Sequence, residues 1–97
     1  MLTVRFHPQA EQEFREAITW YEHQRTGLGA EFALSIDGAV ERIRRSPEKY
    51  PEVHKTVRRI VVRRFPFSIF YETLGHEIRV IAVFHSRRDP KRWRTRE

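Results

Sequence analysis

Apolar residues recur at helical spacing twice in the first half of the chain. The first series has steps of three and four residues: Ala10, Phe14, Ala17, Ile18 and Tyr21. It predicts a helix over about residues 8–25, in which Pro8 suits the first turn. The second series has the same spacing: Phe32, Ile36, Ala39, Val40 and Ile43. It predicts a helix over about residues 29–45, so that two helices joined by a short turn form an antiparallel hairpin.

The rest of the pattern is that of β-strands. Leu2–Phe6 alternates apolar and polar residues, which predicts a short strand before the helices. Three strand-like stretches follow the helices, at Val57–Val62, Phe67–Glu72 and Ile78–His85, while residues 47–55 contain two prolines and are expected to form a loop. Short connections favour an antiparallel meander. The predicted fold class is α+β, in the order β-α-α-β-β-β, with the helix hairpin packed on a small, mainly antiparallel sheet.

Length and composition place these elements in one domain, residues 1–97. A chain of 97 residues can bury a core but not a large internal cavity, so a surface site is expected. The sequence has no cysteine, which excludes disulfides and thiolate zinc sites and fits a reducing cytoplasm. We expect neither a signal peptide nor a membrane span, because Arg5 lies near the N-terminus and no apolar run is long enough to cross a bilayer.

The positive charge is concentrated in the second half of the chain. Residues 1–54 hold seven Lys/Arg and nine Asp/Glu, a net charge of −2, whereas residues 55–97 hold twelve Lys/Arg and four Asp/Glu, a net charge of +8. Such asymmetry is typical of a protein that binds phosphates or an acidic protein segment. The alternative is a solvated basic surface with no specific partner. The density of charge and its continuation into a basic C-terminal segment, residues 85–97, favour a binding function.

The arginines fall in two clusters. They comprise Arg58, Arg59, Arg63 and Arg64 around the second predicted strand, and Arg87, Arg88, Lys91, Arg92, Arg94 and Arg96 in the C-terminal segment. We expect the two clusters to meet at one end of the sheet, on a face that an acidic ligand covers. Because side chains alternate along a strand, Arg59 and Arg63 share one face and Arg58 and Arg64 the other. Some of these arginines are therefore expected to pair with glutamates of the helices instead.

His85 is the titratable residue best placed for chemistry, because it ends a strand immediately before Ser86, Arg87 and Arg88. Cleavage of RNA by its 2′-hydroxyl needs a base, a clamp on the phosphate charge and an acid for the leaving oxygen. His85 with Arg59, Arg63 and Arg87 can supply the base and the clamp, but no good acid is evident. The alternative is that His85 is a strand-end histidine hydrogen-bonded to backbone.

Trp93 lies among the arginines of the C-terminal segment. It can stack on a nucleic-acid base or fold the segment back onto the core, and the second is the more common role of such a residue. The sequence leaves the order of this segment open, since a segment with few apolar anchors is either docked on the protein or mobile until it is bound. His7 and His23 lack metal-ligand spacing with an acidic partner, so neither a metal nor another cofactor is expected.

Four stretches together resemble the RelE/ParE superfamily of bacterial type II toxin–antitoxin toxins. They are FHPQA at Phe6–Ala10, ITWY at Ile18–Tyr21, RRFPFSIFY at Arg63–Tyr71 and IAVFHSRRDP at Ile81–Pro90. The resemblance covers nearly the whole chain and implies a toxin held inactive by a cognate antitoxin whose C-terminal segment wraps around it. An acidic, partly disordered segment folding over basic surface would serve this purpose, and higher-order toxin–antitoxin complexes are compatible with it.

The superfamily divides by target. RelE-like members cut mRNA on the ribosome, and the resemblance implies basic residues on the second predicted strand, matched by Arg59 and Arg63, and one after the last strand, matched by Arg87 or Arg88. Ser68 stands where these nucleases have an arginine, and the C-terminal segment has no tyrosine. ParE-like members poison DNA gyrase, and the sequence VFHSRRD is closer to their form.

Three hypotheses follow from the resemblance, all with a cognate antitoxin as partner. The chain is a ParE-like toxin of DNA gyrase, a ribosome-dependent mRNA endoribonuclease, or a relative that binds an antitoxin and has lost toxicity. The ParE-like hypothesis is preferred, with the C-terminal segment as contact surface. Residues expected to bind the target or the antitoxin are Arg58, Arg64, Arg88, Trp93 and Arg94.

Overall fold

The computed structural model describes residues 2–96; Met1 and Glu97, the ends of the predicted domain, lie outside the described residues. The helices are α1 (Pro8–Gln24) and α2 (Leu28–Arg45), and a short 3₁₀ helix (Pro90–Trp93) lies near the C-terminus. The strands are β1 (Thr3–Phe6), β2 (Glu52–His54), β3 (Val57–Val61), β4 (Phe67–Leu74) and β5 (Glu77–His85). Neither helix of the hairpin has the length and apolar character needed to cross a membrane, within the part of the chain described.

The strands form one five-stranded sheet in the order β1-β5-β4-β3-β2. The pairs β2–β3, β3–β4 and β4–β5 are antiparallel, whereas β1 lies parallel to β5 at the opposite edge. The helix hairpin carries the chain from β1 to β2 at the opposite edge of the sheet, and three antiparallel pairings then bring β5 beside β1 in the same direction. The predicted α+β class and element order are confirmed, and the predicted helices are correct to within one residue at each end.

The expectation that residues 47–55 form a loop was wrong in part, because β2 occupies the end of this segment. Lys55 has a left-handed backbone (φ +54) and closes a tight turn between β2 and β3. The first part of the segment is tied to the sheet by the hydroxyl of Tyr71, which donates to the carbonyl of Pro47 at 2.5 Å. Burial raises the pKa of Tyr71 to about 12. Three strand residues between a proline and a turn give too short a pattern to recognise in the sequence.

The two helices approach each other closely at Gly29. A Cβ atom at this position would lie 2.7 Å from the carbonyl oxygen of Ile18, so only glycine fits without displacing the α1 backbone. The carboxylate of Glu22 accepts hydrogen bonds from the backbone N–H groups of Gly27 and Gly29, at 2.9 and 3.0 Å. These bonds satisfy donors that the first turn of α2 would otherwise leave open.

The main core lies between the helix hairpin and one face of the sheet. Phe32 is fully buried at its centre and makes aromatic contacts with Tyr21, Phe65 and Phe67, with ring centroids 4.9 to 5.2 Å apart. Edge-to-face and offset ring pairs of this kind stabilise a core beyond the area that they bury. This core holds the β3–β4 connection and the start of β4 against the helices.

A second, smaller core covers the opposite face of the sheet. Its members are Val57, Phe70, Ile81, Ala82, Phe84 and Trp93. In the β4–β5 ladder Phe70 pairs with Ala82 and Tyr71 with Val80, so Ile81 is an extra residue in β5. This bulge places Ile81 and Ala82 on the same face, where they add apolar area beneath the C-terminal segment. We call this side of the sheet the tail face.

Candidate functional site

The C-terminal segment is docked on the tail face. Trp93 is 1% exposed, and its ring packs against Phe70 with centroids 4.7 Å apart. Of the two roles expected for Trp93, the structure has the one in which the segment folds back onto the core. The segment, whose order the sequence left open, is therefore docked. The assignment of Trp93 to partner contact is corrected, because the buried ring supports the surface rather than forming it.

An ionic network fixes the end of this segment to α1. Arg96 donates to both carboxylate oxygens of Glu13, at 2.9 and 2.6 Å, and to the carbonyl of Ile81 at 3.0 Å. Glu13 also accepts from the backbone N–H of Val83 at 3.1 Å and from Arg88 at 3.3 Å. The side chains of Glu13 and Arg96 are only 10% and 8% exposed, so the charges are shielded from water and interact strongly.

A shallow depression of about 270 Å³ opens on the tail face beside the docked segment; we call it the tail-face depression. Its apolar floor is built by Phe70, Phe84 and Trp93, and its polar lining is Arg59, Ser68, His85, Ser86, Arg88 and Arg94. Among the residues that the structure describes, no aspartate or glutamate lines it. Arginine guanidinium groups present planar donors that suit carboxylates and phosphates, so the depression is chemically fitted to an anion.

The three arginines of the tail-face depression differ in how far they are already engaged. Arg88 is held by Glu13 and lies over the Phe84 ring at 4.1 Å, so its charge is partly compensated within the protein. Within residues 2–96, neither Arg59 nor Arg94 forms an ion pair. Arg59 and Arg94 are the residues whose charge an incoming anion would neutralise.

His85 lines the depression, but one of its ring nitrogens is already used. Its Nδ1 accepts a hydrogen bond from the backbone N–H of Arg87 at 3.1 Å. This is the alternative that the sequence analysis gave for His85, a strand-end histidine hydrogen-bonded to backbone. The bond assigns the neutral ring's proton to Nε2, so the ring presents a donor to a ligand. A general base needs an unprotonated nitrogen, so this arrangement suits anion binding better than removal of a proton from a 2′-hydroxyl.

His54 lies behind the docked segment, with its ring 5.9 Å from that of Trp93. Desolvation lowers the pKa of His54, and the nearby charges of Arg94 and Lys55 lower it further. The neutral ring is therefore favoured where the C-terminal segment meets β2. This histidine was not among the candidate residues predicted from the sequence.

Arg58 and Arg64 do not join the tail face, so the expectation that both arginine clusters converge there is corrected. Arg58 donates to the carbonyls of Glu48 and Tyr50, at 3.2 and 2.6 Å, and binds the segment that precedes β2. Arg64 has a left-handed backbone (φ +73) and pairs with Glu31 of α2, whose pKa is lowered chiefly by that hydrogen bond. Strand alternation directs the side chain of Arg58 to the face of the sheet that the helices cover, and the turn between β3 and β4 directs Arg64 to the same face.

Arg63 and Arg87 also lie apart from the tail-face depression. Arg63 lines a separate depression at the β3 edge, and the described lining of the tail-face depression does not include Arg87. Of the four residues assigned to a nuclease site, the structure brings together His85 and Arg59. Arg88, rather than Arg87, is the arginine after β5 that reaches them. Ser68, at the position where RelE-like nucleases have arginine, lines the same depression.

Sequence reasoning missed Glu13 and Arg96 as a structural pair. Their separation along the chain leaves no periodic signal, and α1 contains several glutamates in similar sequence surroundings.

Among residues 2–96, no three His, Cys, Asp or Glu side chains come together as a metal site requires.

Comparison with known proteins gives a family match over most of the chain. The family model of the ParE toxin of the type II toxin–antitoxin system, parDE, matches residues 4–90. Toxin ParE2 of Mycobacterium tuberculosis, in strains CDC 1551 / Oshkosh and ATCC 25618 / H37Rv, is 26% identical over 88 residues, which cover 90% of this chain and 84% of the relative. The solved chromosomal ParDE TA system from P. aeruginosa has a chain that matches with a TM-score of 0.65. That match covers 88% of this chain and 96% of the other at 16% identity, a likeness of fold.

Proposed function

Since this chain belongs to the family of ParE toxins of type II toxin–antitoxin systems, we propose that it stops growth by binding DNA gyrase and that a cognate antitoxin neutralises it. Gyrase is the target that the ParE-like resemblance implies. The proposal places the protein in the cytoplasm, where gyrase acts on the chromosome.

The observation that carries the proposal is the lack of carboxylates around the tail-face depression. Arg59 and Arg94 have no acidic partner among the described residues, and both are exposed beside the apolar floor built by Phe70, Phe84 and Trp93. Leaving cations uncompensated side by side costs repulsion energy, which an acidic partner removes on binding. The depression is therefore the surface on which we expect gyrase or the antitoxin to bind.

RNA cleavage is less well supported by the same geometry. The His85 Nδ1 is bonded to backbone, and the position that carries an arginine in RelE-like nucleases is Ser68. An RNA-cleaving site would need a base and a second phosphate clamp at these two positions. A binding role needs neither, because Arg59, Arg94 and the Nε2–H of His85 can all donate to an anion.

The antitoxin is expected to be acidic where it meets this surface. The carboxylate of Glu13, which pairs with Arg88 of the depression, is also bound by Arg96, and no described carboxylate pairs with Arg59 or Arg94. A segment that is disordered when free can wrap such a surface and order on binding. One antitoxin covering the depression would then exclude gyrase by direct competition.

A direct test uses purified gyrase and supercoiled plasmid, with gyrase-dependent DNA breaks measured on a gel. We expect breaks with the unmodified protein, a loss of at least tenfold in potency with Arg59→Gln/Arg94→Gln, and no loss with the control Arg5→Gln/Arg15→Gln. The control removes two exposed arginines that do not line the tail-face depression, one on β1 and one on α1, so a general effect of lowered net charge would appear in both variants.

A parallel assay follows mRNA on translating ribosomes by primer extension. Cuts in the mRNA that vanish in His85→Ala, without gyrase-dependent DNA breaks, would overturn the gyrase proposal in favour of RNA cleavage. Normal growth on expression without an antitoxin would instead indicate a relative that has lost toxicity.

A further inference from the structure

A second basic depression lies at the edge of the sheet, where α2, the segment after it and β3 meet. It has a volume of about 320 Å³ and is lined by Arg42, Lys49, Tyr50, Pro51, Arg59, Ile60, Val61 and Arg63. We call its four cationic residues, Arg42, Lys49, Arg59 and Arg63, the basic edge. Arg42 and Lys49 were not among the residues singled out from the sequence.

The basic edge carries uncompensated positive charge. No carboxylate among residues 2–96 lines the depression, and none of its four cations forms an ion pair with a described acidic residue. Four like charges drawn from different elements repel one another in the free protein, and an anionic ligand would relieve that repulsion.

The basic edge is continuous with the tail-face depression, because Arg59 lines both. Together the two depressions form a band of six cations that runs from α2 and the segment after it, around the β3 edge at Arg59, to the tail face: Arg42, Lys49, Arg59, Arg63, Arg88 and Arg94. A band of cations longer than one carboxylate or one phosphate fits a polyanion whose charges repeat along its length.

Two polyanions have this property, an acidic peptide strand and a nucleic-acid backbone, and the edge of β3 distinguishes between them. The carbonyl of Pro51 accepts from the N–H of Arg59 at 3.1 Å. Proline has no N–H to donate in return, so the hydrogen-bond ladder between β2 and β3 stops there. The alternation of hydrogen bonds in an antiparallel sheet directs the backbone N–H and C=O of Val61 away from β4, towards the open edge. The next outward carbonyl, that of Arg63, already accepts from the N–H of Phe65 at 2.8 Å. An added strand would find few backbone partners, whereas phosphates need only the side chains.

We infer that the basic edge binds the phosphate backbone of double-stranded DNA, independently of sequence. The inference rests on the proposed function, because a toxin bound to gyrase lies next to the DNA that the enzyme holds. Lysine and arginine make most protein contacts to phosphates, and such contacts position a protein without reading bases. The toxin would then touch both the enzyme and its substrate.

The test measures DNA binding without gyrase, so its failure is separate from failure of the proposed function. The probe is a fluorescently labelled DNA duplex of random sequence, and anisotropy is recorded over a series of salt concentrations. If all four cations contact phosphates, the plot of log K against log salt should have a slope of about −3.6, from about −0.9 per phosphate.

Arg42→Gln/Arg63→Gln removes two of these cations and leaves the tail-face depression intact. We expect its salt slope to fall in magnitude by about 2, and its affinity at low salt to drop at least tenfold. Arg5→Gln/Arg15→Gln has the same net charge and should keep a slope close to that of the unmodified protein.

Equal losses in the two variants would overturn the inference, because they would show attraction to net charge alone. A second arm replaces the duplex with labelled polyglutamate. Binding of polyglutamate that depends on Arg42 and Arg63, with no binding of the duplex, would assign the basic edge to an acidic protein segment instead. Circular dichroism spectra of both variants should match the unmodified protein, since Arg5, Arg15 and Arg63 are exposed and Arg42 is only half-buried.

Discussion

At the scale of single residues, Glu13 decides where the C-terminal segment lies. Its carboxylate joins three parts of the protein: the backbone of β5 at Val83, the side chain of Arg88 and the side chain of Arg96. A buried carboxylate with this many charge-assisted bonds is satisfied only in the docked arrangement. The same contacts restrain Arg88, so that Arg59 and Arg94 are the arginines lining the tail-face depression that form no ion pair with a described residue.

Glu13→Gln should therefore destabilise the protein strongly. The substitution keeps the shape of the side chain but leaves Arg96 buried without a counter-charge, a loss expected to cost about 3 kcal/mol in the free energy of unfolding. Urea denaturation at neutral pH measures it. The matched control is Glu11→Gln, whose partner Arg15 is exposed, so that it should cost less than about 0.5 kcal/mol. Equal small losses in both variants would show that the network contributes little.

The same residues show where sequence-based prediction stops. The helix hairpin was predicted to within one residue because Phe32, Ile36 and their neighbours repeat at a period that local geometry imposes. The ion pair between Glu13 and Arg96 depends instead on the path of the whole chain, and no local pattern encodes it. The pairing of Arg64 with Glu31 is of the same kind: pairing with helix glutamates was expected, but not which arginine would do so.

At the scale of elements, the C-terminal 3₁₀ helix covers part of the tail face, because its Trp93 belongs to the second core. Asp89 caps it by accepting from the N–H of Lys91 at 2.9 Å, and Pro90 begins it. Trp93 then fills the space above Phe70 that the β5 bulge helps to create. The sequence analysis predicted neither this short helix nor its cap, and the bulge beneath Trp93 appears only in the strand register.

His54 reports on this docking through its titration. Burial first, and then Arg94 and Lys55, lower its pKa, so the folded state disfavours the imidazolium form relative to the unfolded chain. The resulting stability is present above the unfolded-state pKa of about 6.5 and is lost as pH falls through that value towards the folded-state pKa.

Arg94→Ala should raise the pKa of His54 part of the way towards its ordinary value. It removes one of the two cationic contributions and leaves the larger contribution, burial, in place. The pH dependence of the His54 ring signals in NMR measures the shift. Arg5→Ala provides the control, because Arg5 lies on β1 at the opposite edge of the sheet. An unchanged or lower midpoint in Arg94→Ala would show that Arg94 does not act on this ring.

At the scale of the whole molecule, the two signs of charge are separated. The helices carry most of the glutamates, and the tail face with the basic edge carries arginines that have no acidic partner among residues 2–96. Arg42 and Lys49 of the basic edge come from the first half of the sequence, whose net charge is negative, so the net charges of the two halves predicted the separation only for the tail-face depression. They could not predict that Arg58 and Arg64 would turn away from it, since that depends on strand alternation and on a single left-handed residue.

The most direct test of the tail face as the partner-binding surface is the dissociation constant of the complex with the cognate antitoxin. We predict that Arg59→Gln/Arg94→Gln weakens binding at least tenfold, mainly through faster dissociation, because each arginine loses a charge-assisted contact that the partner buries. Arg5→Gln/Arg15→Gln should change the constant less than twofold. An unchanged constant in Arg59→Gln/Arg94→Gln, or the same weakening in both variants, would contradict the assignment of the tail face.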